Sequence, residues 1–157
     1  MLPQTHIEVL RILVNKLARV KFWLVIGSTN LAMQGVDVVP KDIDILTDKE
    51  GAYAIGVALS EYVVLPVAFR ENEFFKSYFG RFIINGMDVE IMGDRVSKIP
   101  GGDTWGETKG YPAKMLFDID GVKVPVLSLE QEYKAYVKFG RTEKAEKIHA
   151  RINSLKR

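Results

Sequence analysis

The stretch from Trp23 to Thr47, WLVIGSTNLAMQGVDVVPKDIDILT, limits what this chain can fold into more than any other. The apolar run Phe22 to Ile26 reads as a strand buried on both faces. Gly27-Ser28 follows at once, then a short segment of helical character from Thr29 to Gln34. Asp42-Ile43-Asp44-Ile45 alternates charged and apolar residues, so as a strand it points Asp42 and Asp44 to one face. Two carboxylates about 7 Å apart on one strand face repel each other unless a cation lies between them. The cheapest physical reading is a divalent metal site beside a small-residue loop that admits phosphates. Gly27 would let backbone amides approach a phosphate, the Ser28 hydroxyl would donate to it, and the helix beyond would add positive partial charge. Asn30 offers either another donor or a helix cap, and Lys41 either a partner for the acids and phosphates or a solvated cation.

A Gly-Ser after a strand, a short helix, then Asp-x-Asp resembles the nucleotidyltransferase superfamily of DNA polymerase beta. The pattern is most similar to the minimal nucleotidyltransferases and the core of the aminoglycoside nucleotidyltransferases. That resemblance implies an α/β (α+β) fold, a mixed twisted sheet packed by helices and followed by C-terminal helices. It also implies a third carboxylate on a later strand, which Ile84-Asn85-Gly86-Met87-Asp88-Val89-Glu90-Ile91-Met92 supplies. Glu90, deep in an apolar run, matches the family's position better than Asp88, which reads as an exposed strand residue nearer the turn. On this resemblance Asp42, Asp44 and Glu90 are the catalytic and metal-binding set, and Gly27 and Ser28 bind the terminal phosphates. The segment Gly140-Arg141-Thr142-Glu143-Lys144 resembles the family's C-terminal basic pair, with Ala145 where members often carry Asp. Arg141 and Lys144 are then triphosphate contacts; a solvated basic helix is the rival reading.

The implied activity moves a nucleoside monophosphate from a nucleoside triphosphate, ATP foremost, to an acceptor hydroxyl with release of pyrophosphate. Oxygen ligands without His or Cys select Mg2+ or Mn2+ over zinc. The acceptor is open: a small molecule, a protein hydroxyl or a nucleic-acid end. A second copy of the chain, as a homodimer, or a partner protein would complete the acceptor side. The alternative on the same fold is a catalytically degenerate module that holds a nucleotide or a partner. A nucleic-acid-binding accessory using the basic C-terminal helices is a third reading.

Composition narrows the setting. The 157 residues suit one domain, a sheet core over 1–127 and helices over 128–157. The chain has no Cys, which removes disulfides and thiolate metal sites and suits a reducing, cytoplasmic setting. No apolar run approaches a membrane span and no signal-peptide pattern opens the chain. A net charge of +2 makes no global demand for nucleic acid, although basic residues concentrate from Lys134 to Arg157.

The remaining segments read in order. Thr5-His6-Ile7-Glu8 is a capping box opening an amphipathic helix to about residue 18, with His6 as a solvated surface residue. Thr47-Asp48-Lys49-Glu50 is another box, opening a helix to about Tyr62. Val63 to Phe69 reads as a strand that Pro66 confines to an edge or a bulge. Asn85-Gly86 and Asp120-Gly121 are two-residue hairpin turns. Gly93 to Gly110 reads as a long loop whose Trp105 either stacks on a ring or pins the loop to the core. Ser128 caps a helix to about Phe139, with Leu129, Tyr133, Tyr136 and Val137 inward, and a last helix runs from about Thr142 to Leu155.

Overall fold

The computed structural model describes residues 2–101, 105–107 and 114–157. The Trp105 side chain, for which the sequence left two roles open, lies outside the described set. Five α-helices are described: α1 (Gln4–Lys16), α2 (Gly27–Met33), α3 (Lys49–Ala58), α4 (Leu129–Lys138) and α5 (Thr142–Leu155). The strands are β1 (Trp23–Ile26), β2 (Ile43–Thr47), β3 (Val63–Glu71), β4 (Phe75–Ile84), β5 (Met87–Lys98), β6 (Trp105–Glu107), β7 (Met115–Ile119) and β8 (Val122–Val126). They form one mixed sheet in the order β3-β4-β5-β2-β1-β8-β7, with β6 added to β5.

The alternation foreseen along β2 and β5 decides which side of the sheet carries the acids. β2 and β5 run parallel, and Ile43, Ile45, Val89 and Ile91 enter the main core with Leu10 and Leu13 of α1 and Ile55 of α3. Asp44 and Glu90, one residue out of phase with those apolar positions, therefore point to the opposite face. A second apolar cluster, Leu31, Val36, Leu129, Ile148 and Ile152, joins α2 to the C-terminal helices α4 and α5.

Turn chemistry was read well. Asn85 and Gly86 have φ of 50° and 78°, both in the left-handed region that a two-residue hairpin of matching twist requires. β3 is an edge strand, and its pairing with β4 shifts register between Val63 and Leu65 and again between Leu65 and Ala68, across Pro66, which has no N–H to give to the ladder. Ser128 caps α4 by accepting from the Gln131 amide.

Several boundaries differ from expectation. α1 begins at Gln4 behind Pro3, which pre-sets φ for a helix start, so the Thr5 box is not used. The α3 cap is Asp48, accepting from Gly51 N at 2.6 Å, because Thr47 is still in β2 and donates its hydroxyl to Phe22 O. α3 stops at Ala58, and a 3-10 turn covers Ser60–Tyr62. The first half of the expected long loop is strand: β5 continues through Gly93 to Lys98 because β4 still pairs with it there. A Cβ at Gly93 would stand 2.7 Å from Asp48 O, so α3 docks on β5 where a side chain cannot fit. Val137 is 52% exposed rather than inward, and the buried residue on α4 besides Leu129 is Glu132. Among the described residues no helix is long and apolar enough to cross a membrane.

Candidate active site

Strand register assembles the acidic floor. Ile26 of β1 pairs with Asp44, and Asp44 pairs with Glu90 of β5 in the parallel ladder. Directly paired residues share a face, so two carboxylates from distant parts of the chain become neighbours. Asp42 stands just before β2, exposed at the rim. Burial first, then the negative charge of Glu90, raises the Asp44 pKa to about 7, with Arg95 opposing the shift. Glu90 is also raised, first by burial, then by Asp42 and Asp88, while Arg81 and Arg95 oppose. Arg81 Nε donates to Asp88 Oδ1 at 2.6 Å, so Asp88 already has a cationic partner. That bond separates the two acids of β5, the paired Asp88 and the crowded Glu90.

The turn after β1 lies on this floor. Gly27 has φ 75°, and a Cβ built there would stand 3.0 Å from Asp44 Oδ2, so glycine is required on two counts. The turn is tied to the Asp42 approach by two bonds, and α1 holds the same approach by a third. Lys41 N donates to Ser28 Oγ at 3.1 Å, and Thr29 Oγ1 donates to Asp42 O at 3.0 Å. His6 Nε2 donates to Lys41 O at 2.8 Å. His6 is therefore not the solvated residue expected: it is 7% exposed and holds the loop from α1, its Nδ1 buried without a hydrogen-bond partner among the described residues. Ser28 Oγ accepts from Lys41, which leaves its hydroxyl hydrogen available to a phosphate.

Two expectations for the turn need correction. The Gly27 amide does not face a free phosphate space, because it donates to Glu132 Oε2 at 2.9 Å. Asn30 is neither a cap nor a free donor. It is fully buried; its Nδ2 donates to Leu127 O at 2.9 Å and Glu132 Oε2 at 2.7 Å, and its Oδ1 accepts from Gln34 Nε2. Gln34 Nε2 also donates to Leu127 O. With every polar group of Asn30 engaged, its role is structural.

The basic residues foreseen in the loop and near the C-terminus do meet. Lys41, Arg141 and Lys144, with Val38, Gly140 and Lys147, line a cleft of about 630 Å³ beside the floor. Burial and the charges of Arg141, Lys41 and Lys147 lower the Lys144 pKa, with Glu143 opposing, which marks the cleft as a concentration of positive charge. The Arg141 guanidinium lies over the Tyr136 ring, 5.2 Å from its centroid.

Sequence reasoning missed Glu132, Arg81, Arg95 and Lys147. Glu132 is the one a sequence signal could have found, an acid on the apolar side of an amphipathic helix. At 3% exposed, and with burial outweighing its bonds to Asn30 and Gly27, its pKa rises to about 7.

The donor set suits a hard divalent ion. Asp44 and Glu90 offer only oxygen, and burial followed by the neighbouring carboxylates raises the pKa of both, a strain that a cation relieves. Among the described residues no three acidic or His side chains already stand in a metal-holding arrangement, so Asp42 would have to turn inward to complete the set.

Comparison with known proteins bears on the same elements. Residues 8–153 match the family model described as Aminoglycoside-2''-adenylyltransferase. A solved structure from Thermotoga maritima, provisionally assigned as a nucleotidyltransferase, is 42% identical, with 98% of this chain and 96% of that one covered and a TM-score of 0.78. ANT(2")-Ia, solved in complex with adenylyl-2"-tobramycin, shares the fold at a TM-score of 0.59 and 13% identity, with 97% and 90% of the two chains covered. Curated protein sequences gave no match. The family model spans nearly all of the chain, and the two similar structures carry the same fold: the chain belongs to the aminoglycoside-2''-adenylyltransferase family and is a nucleotidyltransferase.

Proposed function

We propose that the chain transfers a nucleoside monophosphate, AMP from ATP, to a hydroxyl of a small acceptor, and that it does so with Mg2+ or Mn2+. The observation that carries this is the register pair Asp44–Glu90, roofed by Gly27 and flanked by the basic cleft. A triphosphate with its metal needs acidic ligands beside cations, and this arrangement supports that reading.

Asp42, Asp44 and Glu90 would hold the metal. Ser28 would donate to the terminal phosphates, and Lys41, Arg141 and Lys144 would balance the charge of the departing pyrophosphate. Glu90, whose pKa is raised, would accept the proton of the acceptor hydroxyl. The acceptor oxygen bonds to the α-phosphorus, the bond from that phosphorus to the bridging oxygen breaks, and pyrophosphate leaves through the cleft. A bound divalent ion supplies charge neutralisation at the transferring phosphate. Adenylyl transfer is supported by the family's description and by the adenylylated tobramycin in the ANT(2")-Ia structure. An aminoglycoside is accordingly the first acceptor to try. The absence of Cys is in keeping with a cytoplasmic protein.

Calorimetric titration of the four nucleoside triphosphates with Mg2+ into wild type and the Asp42→Asn/Asp44→Asn variant tests the site. Binding that needs both the metal and the aspartates is expected. Transfer of α-labelled ATP onto an aminoglycoside panel then tests the acceptor. Tight binding with no transfer to any hydroxyl would leave only a nucleotide-holding module.

A further inference from the structure

The part of the turn that a nucleotide would not touch is held by a residue remote in sequence. Glu132, on α4, is 3% exposed, and its Oε2 accepts from both Gly27 N and Asn30 Nδ2. Gly27 opens α2, so its amide has no partner within the helix and must find one outside. Asn30, one turn later, is locked by Gln34 and Leu127 O, and its link to Glu132 joins that amide network to α4. The other side of the same turn is tied to the Asp42 approach through Ser28 and Thr29. Ser28 thus stands between two anchorages, one on the metal-ligand loop and one on the C-terminal helix pair that carries Arg141 and Lys144.

From this geometry we infer that Glu132 is a positioning residue for nucleotide binding: it fastens the Gly27–Ser28 turn to the C-terminal helices, fixing the phosphate-binding turn and the basic cleft relative to each other. The inference rests on the proposed transferase reading. Glu132 acts through Gly27 and Asn30, so its loss should be felt in binding of the triphosphate before it is felt in the chemistry.

The test uses the full chain with Glu132→Ala and Glu132→Gln. The Gln side chain keeps an oxygen that accepts both bonds and gives up the charge. In ligand-free protein, amide hydrogen exchange at Gly27 should speed at least tenfold in Glu132→Ala and stay near wild type in Glu132→Gln, with Gly51, capped independently by Asp48, unchanged in both. With MgATP, Glu132→Ala should raise KM tenfold or more while kcat stays within threefold, and Glu132→Gln should restore KM. Should Glu132→Ala not fold, Glu132→Asp, shorter by one methylene, serves in its place with the same expectation. A folded Ala or Asp variant with wild-type KM, or with wild-type Gly27 exchange, overturns the inference. Wild type that binds no triphosphate overturns the transferase reading instead, and the Gly27 exchange then decides the fastening by itself.

Discussion

Asp44 and Glu90 stand on adjacent strands in the middle of the sheet, whereas Lys41, Arg141, Lys144 and Lys147 come from a loop and the C-terminal α5 region around an open cleft. The acids are fixed by ladder hydrogen bonds and apolar neighbours on both sides, so their separation is a property of the sheet. The cations are held by their own long side chains and stay partly solvated. The difference is visible in charge. Burial, then the charge of Glu90, lifts Asp44 to about 7, while burial and the neighbouring cations lower Lys144. The floor is a place where one atom decides the outcome, and the cleft one where several charges share the task.

The largest expected effect is on the floor. Asp44→Asn should lower transfer by at least about 10³-fold, as loss of one electrostatic contact to the transition state often does. Its stability should move the other way. The folded carboxyl titrates near 7 against an ordinary value of 3.8, so the folded state holds a proton that the unfolded chain has lost. This group's contribution to stability therefore falls as pH rises between those values and is fully adverse above about 7. Asp44→Asn removes that cost, and thermal melting at alkaline pH should show a higher Tm than wild type. A lower Tm would mean that the wild-type floor is not a crowded one. The same sign predicts that protons compete with Mg2+ below about pH 7, so the half-saturating Mg2+ concentration for transfer should rise as pH falls.

Next comes the turn. Gly27→Ala must place a Cβ against Asp44 Oδ2 at a left-handed φ, which costs about 1–3 kcal/mol in stability and displaces Ser28. Denaturant unfolding should show that loss, and transfer should fall about tenfold or more. For the cleft, Lys144→Ala should raise the KM for ATP about tenfold at low salt with a smaller change in kcat, and the difference should shrink as salt is added. A salt-independent effect would place Lys144 on the buried side of the comparison. Smallest of all, Asp88→Asn removes a half-exposed ion pair with Arg81, of the kind that contributes little to stability. Transfer within about threefold of wild type would confirm Glu90 as the working acid of β5, whereas a collapse of activity would reverse that choice.

Much of the floor was legible before any coordinates. Period-two alternation places Asp44 opposite in phase to Ile43 and Ile45, and the Asn85-Gly86 turn fixes where β5 starts, so Glu90 falls on the strand that pairs with Asp44. Alternation alone could not separate Asp88 from Glu90, because both point to one face; the apolar flanks and the family resemblance favoured Glu90, and the Arg81 bond that sets Asp88 apart crosses from β4. His6 and Asn30 misled for a common reason. Each is a polar residue on a helix, where solvent is the usual partner, and each is buried against a backbone carbonyl far along the chain, Lys41 O and Leu127 O. Glu132 and Val137 exchanged places on α4 because helical spacing alone does not say which side of a short helix meets another element.

What the sequence determined by itself was local: where strands alternate, where Gly and Asn permit left-handed turns, and which residue types are available to bind metal and phosphate. These depend on neighbours in the chain, through dihedral sterics and side-chain period. What only the tertiary structure decided was partnership: Asp44 beside Glu90 rather than Asp88, the Gly27 amide given to Glu132, and Arg141 and Lys144 brought to Lys41. Those pairings close over most of the chain's length, and the burial that moves a carboxyl pKa to about 7 exists only once the sheet and the C-terminal helices have packed together.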